Sequence, residues 1–162
     1  MNSRIYIIGG LGSGKSFLSK KLSEKSGLEY FEMDKIVFKE SKFEERTEQE
    51  RNVIFENILK KDNWILEGTF TEEWIVPGLS RATKIIYLST LPSLRLFRFM
   101  KRIIKQGIHK QNNLLNRIKL VLGFKHKEWN RTAEKYKQLL EPFKSKVITL
   151  RSKKEVNDFM SM

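Results

Sequence analysis

The chain has 162 residues and a formal charge of +13, and with 40% apolar residues it is one domain able to bury a core of its own. It contains no cysteine, which excludes a disulfide framework and any cysteine-based zinc site; a reducing compartment, the cytoplasm, is the expected location. No apolar run approaches the roughly 20 residues of a membrane span, and repeats and low-complexity stretches are absent.

The first element is the β-branched run Ile5-Tyr6-Ile7-Ile8, read as a strand. Directly after it, Gly9-Gly10-Leu11-Gly12-Ser13-Gly14-Lys15-Ser16 fills the phosphate-loop pattern GxxxxGK[ST] at every required position. A triphosphate needs several backbone N–H donors aimed at one point, and Gly9, Gly12 and Gly14 let the chain wrap that closely. Lys15 is placed to reach the β- and γ-phosphates and Ser16 to set its hydroxyl on Mg²⁺, while a helix opening at Gly14 aims its positive end at the anion. Ser13 and Phe17 complete the set of residues expected against the nucleotide. Helical periodicity through Leu18, Leu22 and Lys25 stops at Ser26-Gly27.

Leu28 to Met33 reads as a second strand ending at Asp34. Thr47 and Glu50 form a capping-box pair opening a helix with Val53, Ile54, Ile58 and Leu59 on its apolar side. Asn63-Trp64-Ile65-Leu66 is a third strand, ending at Glu67-Gly68; a short helix after Thr71 is expected to end at Pro77-Gly78. Lys84 to Leu88 makes a fourth strand, and Pro92 suits the first turn of a helix from about Leu91 to Gln106. Val147 to Leu150 is a fifth strand, followed by a helix capped by Ser152 and Glu155 and carrying Val156, Phe159 and Met160.

Strands alternating with helices call for right-handed crossovers and a parallel sheet, hence an α/β fold whose ligands bind at the C-terminal strand ends. The phosphate loop, Asp34, Glu67-Gly68, the Ser89-Thr90 turn and Arg151 all fall at those ends and should share one crevice. Residues 103–137 interrupt the alternation with basic helical pieces and are read as a lid inserted in a single domain spanning 1–162. Leu114, Leu115, Ile118 and Leu122 give that stretch one amphipathic helix, and its two histidines, His109 and His126, lack the carboxylate spacing of a metal site. Charge divides sharply along the chain: residues 1–90 hold 14 basic and 14 acidic side chains, net zero, and residues 91–162 hold 18 and 5, net +13. Such a half can steer phosphorylated small molecules, bind nucleic acid, or simply be solvated.

The loop GGLGSGKS, Met33-Asp34, the run Trp64-Ile65-Leu66-Glu67-Gly68-Thr69-Phe70, and Arg95-Leu96-Phe97-Arg98 before Lys101-Arg102 resemble the small P-loop kinases. Among them the chain looks most like the adenylate-kinase-related FlaR type, labelled DNA topology modulation protein. Phe43 before Arg46 stands where relatives tend to show a Trp before an Arg, and Glu67-Gly68-Thr69-Phe70 where they show Asp-Gly-Asn-Tyr.

The resemblance implies a P-loop three-layer sandwich, strand order 2-3-1-4-5, an arginine-rich lid, and transfer of the γ-phosphoryl group of ATP with Mg²⁺. Positioning and charge neutralisation dominate such chemistry, so arginines closing on the phosphates are the expected tools. Arg95, Arg98 and Arg102 share a helix face, and Arg117 and Arg131 are further lid candidates; each is otherwise a solvated base. Glu67 either holds Mg²⁺ through water or caps nearby backbone. Asp34 either orients and deprotonates an acceptor hydroxyl or caps a helix entry. Arg46, with Gly68 beside the acceptor, either binds an anionic acceptor group or lies in solvent, and Arg151 borders the purine. Two other classes stay open, a nucleic-acid-associated NTPase and an NTP-binding switch without an acceptor.

Overall fold

The apolar run at the start becomes β1 (Arg4–Gly9), buried along nearly its whole length at the centre of a five-stranded parallel sheet of order β2-β3-β1-β4-β5. The computed structural model describes residues 2–39, 44–91, 93–95, 97–98, 101 and 126–161, the last stretch with side chains from 133 onward. The other strands are β2 (Tyr30–Glu32), β3 (Trp64–Gly68), β4 (Lys84–Leu88) and β5 (Val147–Leu150). β1 pairs with both inner neighbours, Ile7 opposite Glu67 of β3 and Ile86 of β4, so a strand covered on both faces must be apolar on both.

One face of the sheet carries Tyr6, Ile8, Trp64, Leu66 and Ile85. It is covered by α2 (Met33–Val37), α3 (Glu48–Leu59), α4 (Val76–Arg81) and α5 (His126–Leu140), which bring in Met33, Phe55, Ile58, Leu79 and Tyr136. The other face carries Ile5, Ile7, Ile65, Ile86 and Leu88 under α1 (Lys15–Ser26) and α6 (Lys153–Ser161), with Leu18, Val156 and Phe159. Three layers result, as the alternation of strand and helix requires.

The ends of the helices agree with the sequence reading where a side chain or a glycine sets them. Thr47 and Glu50 close the capping box of α3, Gly27 ends α1 in the left-handed conformation, and Glu155 and Ser152 cap α6.

Three expectations are corrected. The second strand is shorter than Leu28 to Met33: Met33 begins α2, because Met33, Ile36 and Val37 recur at helical spacing and all turn into the core. Pro77 and Gly78 lie in the first turns of α4 instead of ending it; a proline there gives up an N–H the helix would not use. On α3 Phe55, 3% exposed, joins Ile58 and Leu59 in the core, while Val53 is 59% exposed.

Of the expected helix from Leu91, residues 93–95, 97–98 and 101 are helical. Arg102, His109, the amphipathic stretch Leu114 to Leu122 with Arg117, and Phe43 lie outside the described residues. The C-terminal end of the expected lid segment carries Tyr136, which belongs to the core and donates its hydroxyl to the Thr69 carbonyl at 2.7 Å.

Gly78 packs where a Cβ would lie 2.8 Å from Phe55 Cζ and 2.9 Å from Tyr6 Cε2. In an open helix Gly→Ala gains about 1 kcal/mol. Here Gly78→Ala should instead cost roughly 1–3 kcal/mol through overpacking, read as a lower urea midpoint at unchanged slope. A raised midpoint would show that the two rings yield.

Candidate functional site

Gly12 and Gly14 adopt φ of 74° and 103°, a region costly for any residue with a Cβ. Through these two turns the chain leaves β1, doubles back, and enters α1 with Gly14 as the N-cap. The first N–H groups of a helix have no intrahelical acceptor, so the start of α1 presents donors and the positive end of its dipole to the loop.

The carbonyls of the loop are turned away and held. Gly10 O accepts from Ser13 N and from Lys15 Nζ, each at 3.2 Å. Leu11 O accepts from Arg95 Nε at 2.6 Å. Ser13 O accepts from Arg98 Nη1 at 3.1 Å and Thr90 Oγ1 at 3.2 Å. In a trans peptide the carbonyl and the next N–H point in opposite directions, so holding a carbonyl also fixes the direction of the following amide. The Ser13 hydroxyl is buried in the loop with no hydrogen-bond partner among the described residues, a polar atom that a bound phosphate or its water could satisfy.

Beside the loop, Ser16 Oγ donates to Glu67 Oε1 at 2.9 Å. Glu67 is 6% exposed at the end of β3, opposite Ile7. Burial pushes its carboxyl above the usual range; the Lys15 ammonium and the Ser16 hydroxyl oppose this, and the Glu32 and Asp34 carboxylates add to it. A hydroxyl and a carboxylate side by side at a phosphate loop are the hard oxygen ligands Mg²⁺ takes when phosphates and water fill its other positions. Among the described residues no cluster of three or more His, Cys, Asp or Glu could hold a metal ion. Asp34 is exposed in the first turn of α2. Gly68 is buried, and a Cβ there would meet Met33 Cγ at 2.7 Å, so the glycine lets α2 approach the end of β3.

On the other side of the loop, a cavity of about 370 Å³ opens between the start of α1 and the β5–α6 turn. Its walls are Phe17, Leu88, Leu150 and Val156, with Arg98 and Arg151 at its edge. An apolar slot with guanidinium groups beside it suits a purine, whose faces stack and whose phosphates lead back to the loop. Phe17, 59% exposed, offers its ring to that slot. The Arg151 N–H is already taken by Glu155 Oε2 at 2.9 Å, which leaves the side chain for the ligand.

The expected site residues therefore divide. Gly9, Gly12, Ser13, Gly14, Lys15, Ser16 and Glu67 converge at the loop, with Asp34 and Gly68 on the β2–β3 side and Phe17, Arg98 and Arg151 on the cavity side. Arg95 touches the outer, carbonyl side of the loop. Arg46 is partly exposed, and its Nη1 donates to the carbonyls of Lys35, at 2.8 Å, and of Phe38. These are the carbonyls at the end of α2, where a guanidinium satisfies groups the helix leaves over. Of Arg131 the structure describes only backbone, in α5. The Ser89-Thr90 turn, expected in the crevice, brings Thr90 to the loop; Leu88, Leu150 and Tyr136 are not singled out by the sequence, and the strand ends of β4 and β5 are the one signal for the two leucines.

No family model and no curated protein matches the chain, so the likeness to FlaR-type kinases rests on its sequence motifs alone. Solved structures do match. The chain is similar to the deoxyadenosine kinase from M. mycoides with bound dCTP, at TM-score 0.53 and 16% identity over 97% of this chain and 96% of that one. It is also similar to the shikimate kinase from Acinetobacter baumannii in complex with shikimate, at TM-score 0.52 and 19% identity over 97% and 88%. A gluconokinase from Sinorhizobium meliloti 1021 overlaps on 62% of this chain and 65% of its own length, at 19% identity and TM-score 0.47. What the full-length matches share with this chain is the fold, a P-loop three-layer sandwich, here with strand order 2-3-1-4-5.

A carboxyl whose folded-state pKa is raised contributes stability that is fully present below its unfolded value, 4.5 for Glu67, and lost as pH rises through the folded value. Glu67→Gln should therefore raise the melting temperature in metal-free buffer at about pH 8, an advantage that shrinks toward about pH 4. The opposite order would mean that Lys15 and Ser16 outweigh burial.

Proposed function

We propose that the chain transfers the γ-phosphoryl group of ATP, in the presence of Mg²⁺, to a hydroxyl of a small-molecule acceptor held on the Asp34 side of the crevice. The observation that carries this is the finished phosphate cradle with a buried acid beside it: carbonyls held outward, Lys15 at the loop, and Ser16 bonded to Glu67. A full-length likeness in fold to small-molecule kinases supports it.

The Ser16 hydroxyl and, through water, Glu67 would hold Mg²⁺, which would supply charge neutralisation on the phosphates. Lys15 and the amides of Gly12, Gly14, Lys15 and Ser16 bind and orient the triphosphate, and the slot walled by Leu88, Leu150 and Val156 takes the base. The acceptor oxygen attacks the γ-phosphorus as the bond to the β,γ-bridging oxygen breaks. The Asp34 carboxylate takes the hydroxyl proton, leaving ADP and a phosphorylated acceptor. A base at this position favours an alcohol over a nucleoside monophosphate, whose attacking phosphate oxygen carries no proton to remove. Arg98 and, in the lid, Arg102, Arg117 and Arg131 are the cations available to the transferring group.

The 18 basic against 5 acidic side chains of residues 91–162 support a second reading, a nucleic-acid-associated NTPase as the FlaR label implies. It requires affinity for DNA that falls steeply with salt.

The test is ADP release with ATP and Mg²⁺ across a panel of nucleosides, nucleoside monophosphates, sugars and hydroxy acids. One alcohol class should stimulate release; a flat panel together with salt-sensitive DNA binding would favour the second reading. Lys15→Ala should abolish triphosphate binding in calorimetry. Asp34→Asn should lower kcat about 10²–10⁴-fold with little change in the KM for ATP. An unchanged kcat would remove Asp34 as the base.

A further inference from the structure

Residue 10 is one of the unconstrained positions of GxxxxGK[ST], and Gly10, unlike Gly12 and Gly14, does not have a positive φ. Neither the phosphates nor the backbone turn demands a glycine there. What does is Arg95: a Cβ on residue 10 would collide with the Nη2, Cζ and Nη1 atoms of its guanidinium. The same residue closes off Gly12 from outside, where a Cβ would lie 3.0 Å from the Arg95 carbonyl oxygen.

Arg95 sits in the first turn of the helix after β4, its amide bonded to Leu91 O at 3.1 Å. Its guanidinium is half-buried, with Tyr87, Ser89 and Tyr136 around a space of about 50 Å³ beneath the loop. From there Nε donates to Leu11 O. With the Leu11 carbonyl drawn outward, the Gly12 N–H on the far side of the same peptide plane points inward.

We infer that Gly10 and Arg95 are a single positioning device for the phosphate loop. The missing side chain at residue 10 makes room for a guanidinium that holds the Leu11 peptide with its N–H facing the triphosphate. Arg95 acts through the loop and touches no phosphate. Its effect is therefore confined to ligands with phosphates, since the base lies in the slot near Leu150 and Val156. The inference rests on the loop being a triphosphate cradle.

Calorimetric titration of the whole chain with ATP and with adenosine tests it, using wild type, Lys15→Ala, Arg95→Ala, Gly10→Ala and the Gly10→Ala/Arg95→Ala pair. Arg95→Ala should weaken ATP binding about tenfold, the scale of one lost charged hydrogen bond, and leave adenosine within about twofold. Gly10→Ala, by displacing the guanidinium, should weaken ATP to the same degree. The double variant should be no weaker than either single one, because an alanine is accommodated once the guanidinium is gone. Wild-type ATP affinity in Arg95→Ala, losses that multiply to about a hundredfold in the double variant, or an equal loss for adenosine would each overturn the inference. If Arg95→Ala melts below the assay temperature, Gly10→Ala decides alone, and unchanged ATP affinity there overturns it. Wild type that binds no ATP, or Lys15→Ala that binds it equally well, would instead overturn the cradle itself.

Discussion

Amides can converge on an anion only if the carbonyls of the same peptides are turned away and kept there. In this chain the donors that keep them come from three places: Lys15 at the head of α1, Thr90 in the turn after β4, and Arg95 and Arg98 in the helix beyond it. β1 and β4 must therefore end side by side, as the pairing of Gly9 with Leu88 ensures. The approach is close enough that a Cβ on Gly9 would lie 2.7 Å from Leu88 O. The central strand pair and the cradle are thus one construction, and the apolar run of β1 from Ile5 to Ile8 serves both.

The two sides of the crevice differ in chemistry for reasons that lie in the sheet. Toward β4 and β5 the strand ends bring apolar side chains, Leu88 and Leu150, which suit a base. Toward β2 and β3 they bring Glu32, Glu67 and, in the first turn of α2, Asp34, and the Glu32 and Asp34 carboxylates add to the cost of ionising Glu67. The largest part of that cost is burial, and Lys15 and Ser16 only partly relieve it. A buried acid whose ionisation burial opposes is poised for a cation, since an incoming positive charge favours the carboxylate. Elements further off steady this side: Arg46 closes the end of α2, and Tyr136 ties α5 to the Thr69 carbonyl just past β3.

The phosphate loop, the five strands and the capped helices α3 and α6 were legible in the sequence because each is written locally. A glycine pattern, an apolar run bounded by turns, or a Ser/Thr followed by Glu three residues on needs no knowledge of distant contacts. Strand order was legible only through resemblance, since pairing in a parallel sheet leaves no mark on any one strand. The misjudged boundaries are those settled by neighbours. Met33 leaves the strand because Gly68 opens a place for it, and Gly78 stays inside α4 because Phe55 and Tyr6 fill the space a side chain would need.

Side-chain roles followed the same division. That Lys15 and Ser16 belong to phosphate and metal followed from the motif, since the backbone it encodes carries them to the anion by itself. That Arg46 caps a helix, and that Arg95 sits beneath the loop against Gly10, could be decided only by tertiary structure. A guanidinium ends a long, flexible side chain, so its partner depends on which backbone passes nearby. The sequence by itself determined the fold type and the phosphate cradle, which are local patterns repeated along the chain. Packing between elements distant in sequence decided which cations face the ligand and which hold the protein's own carbonyls.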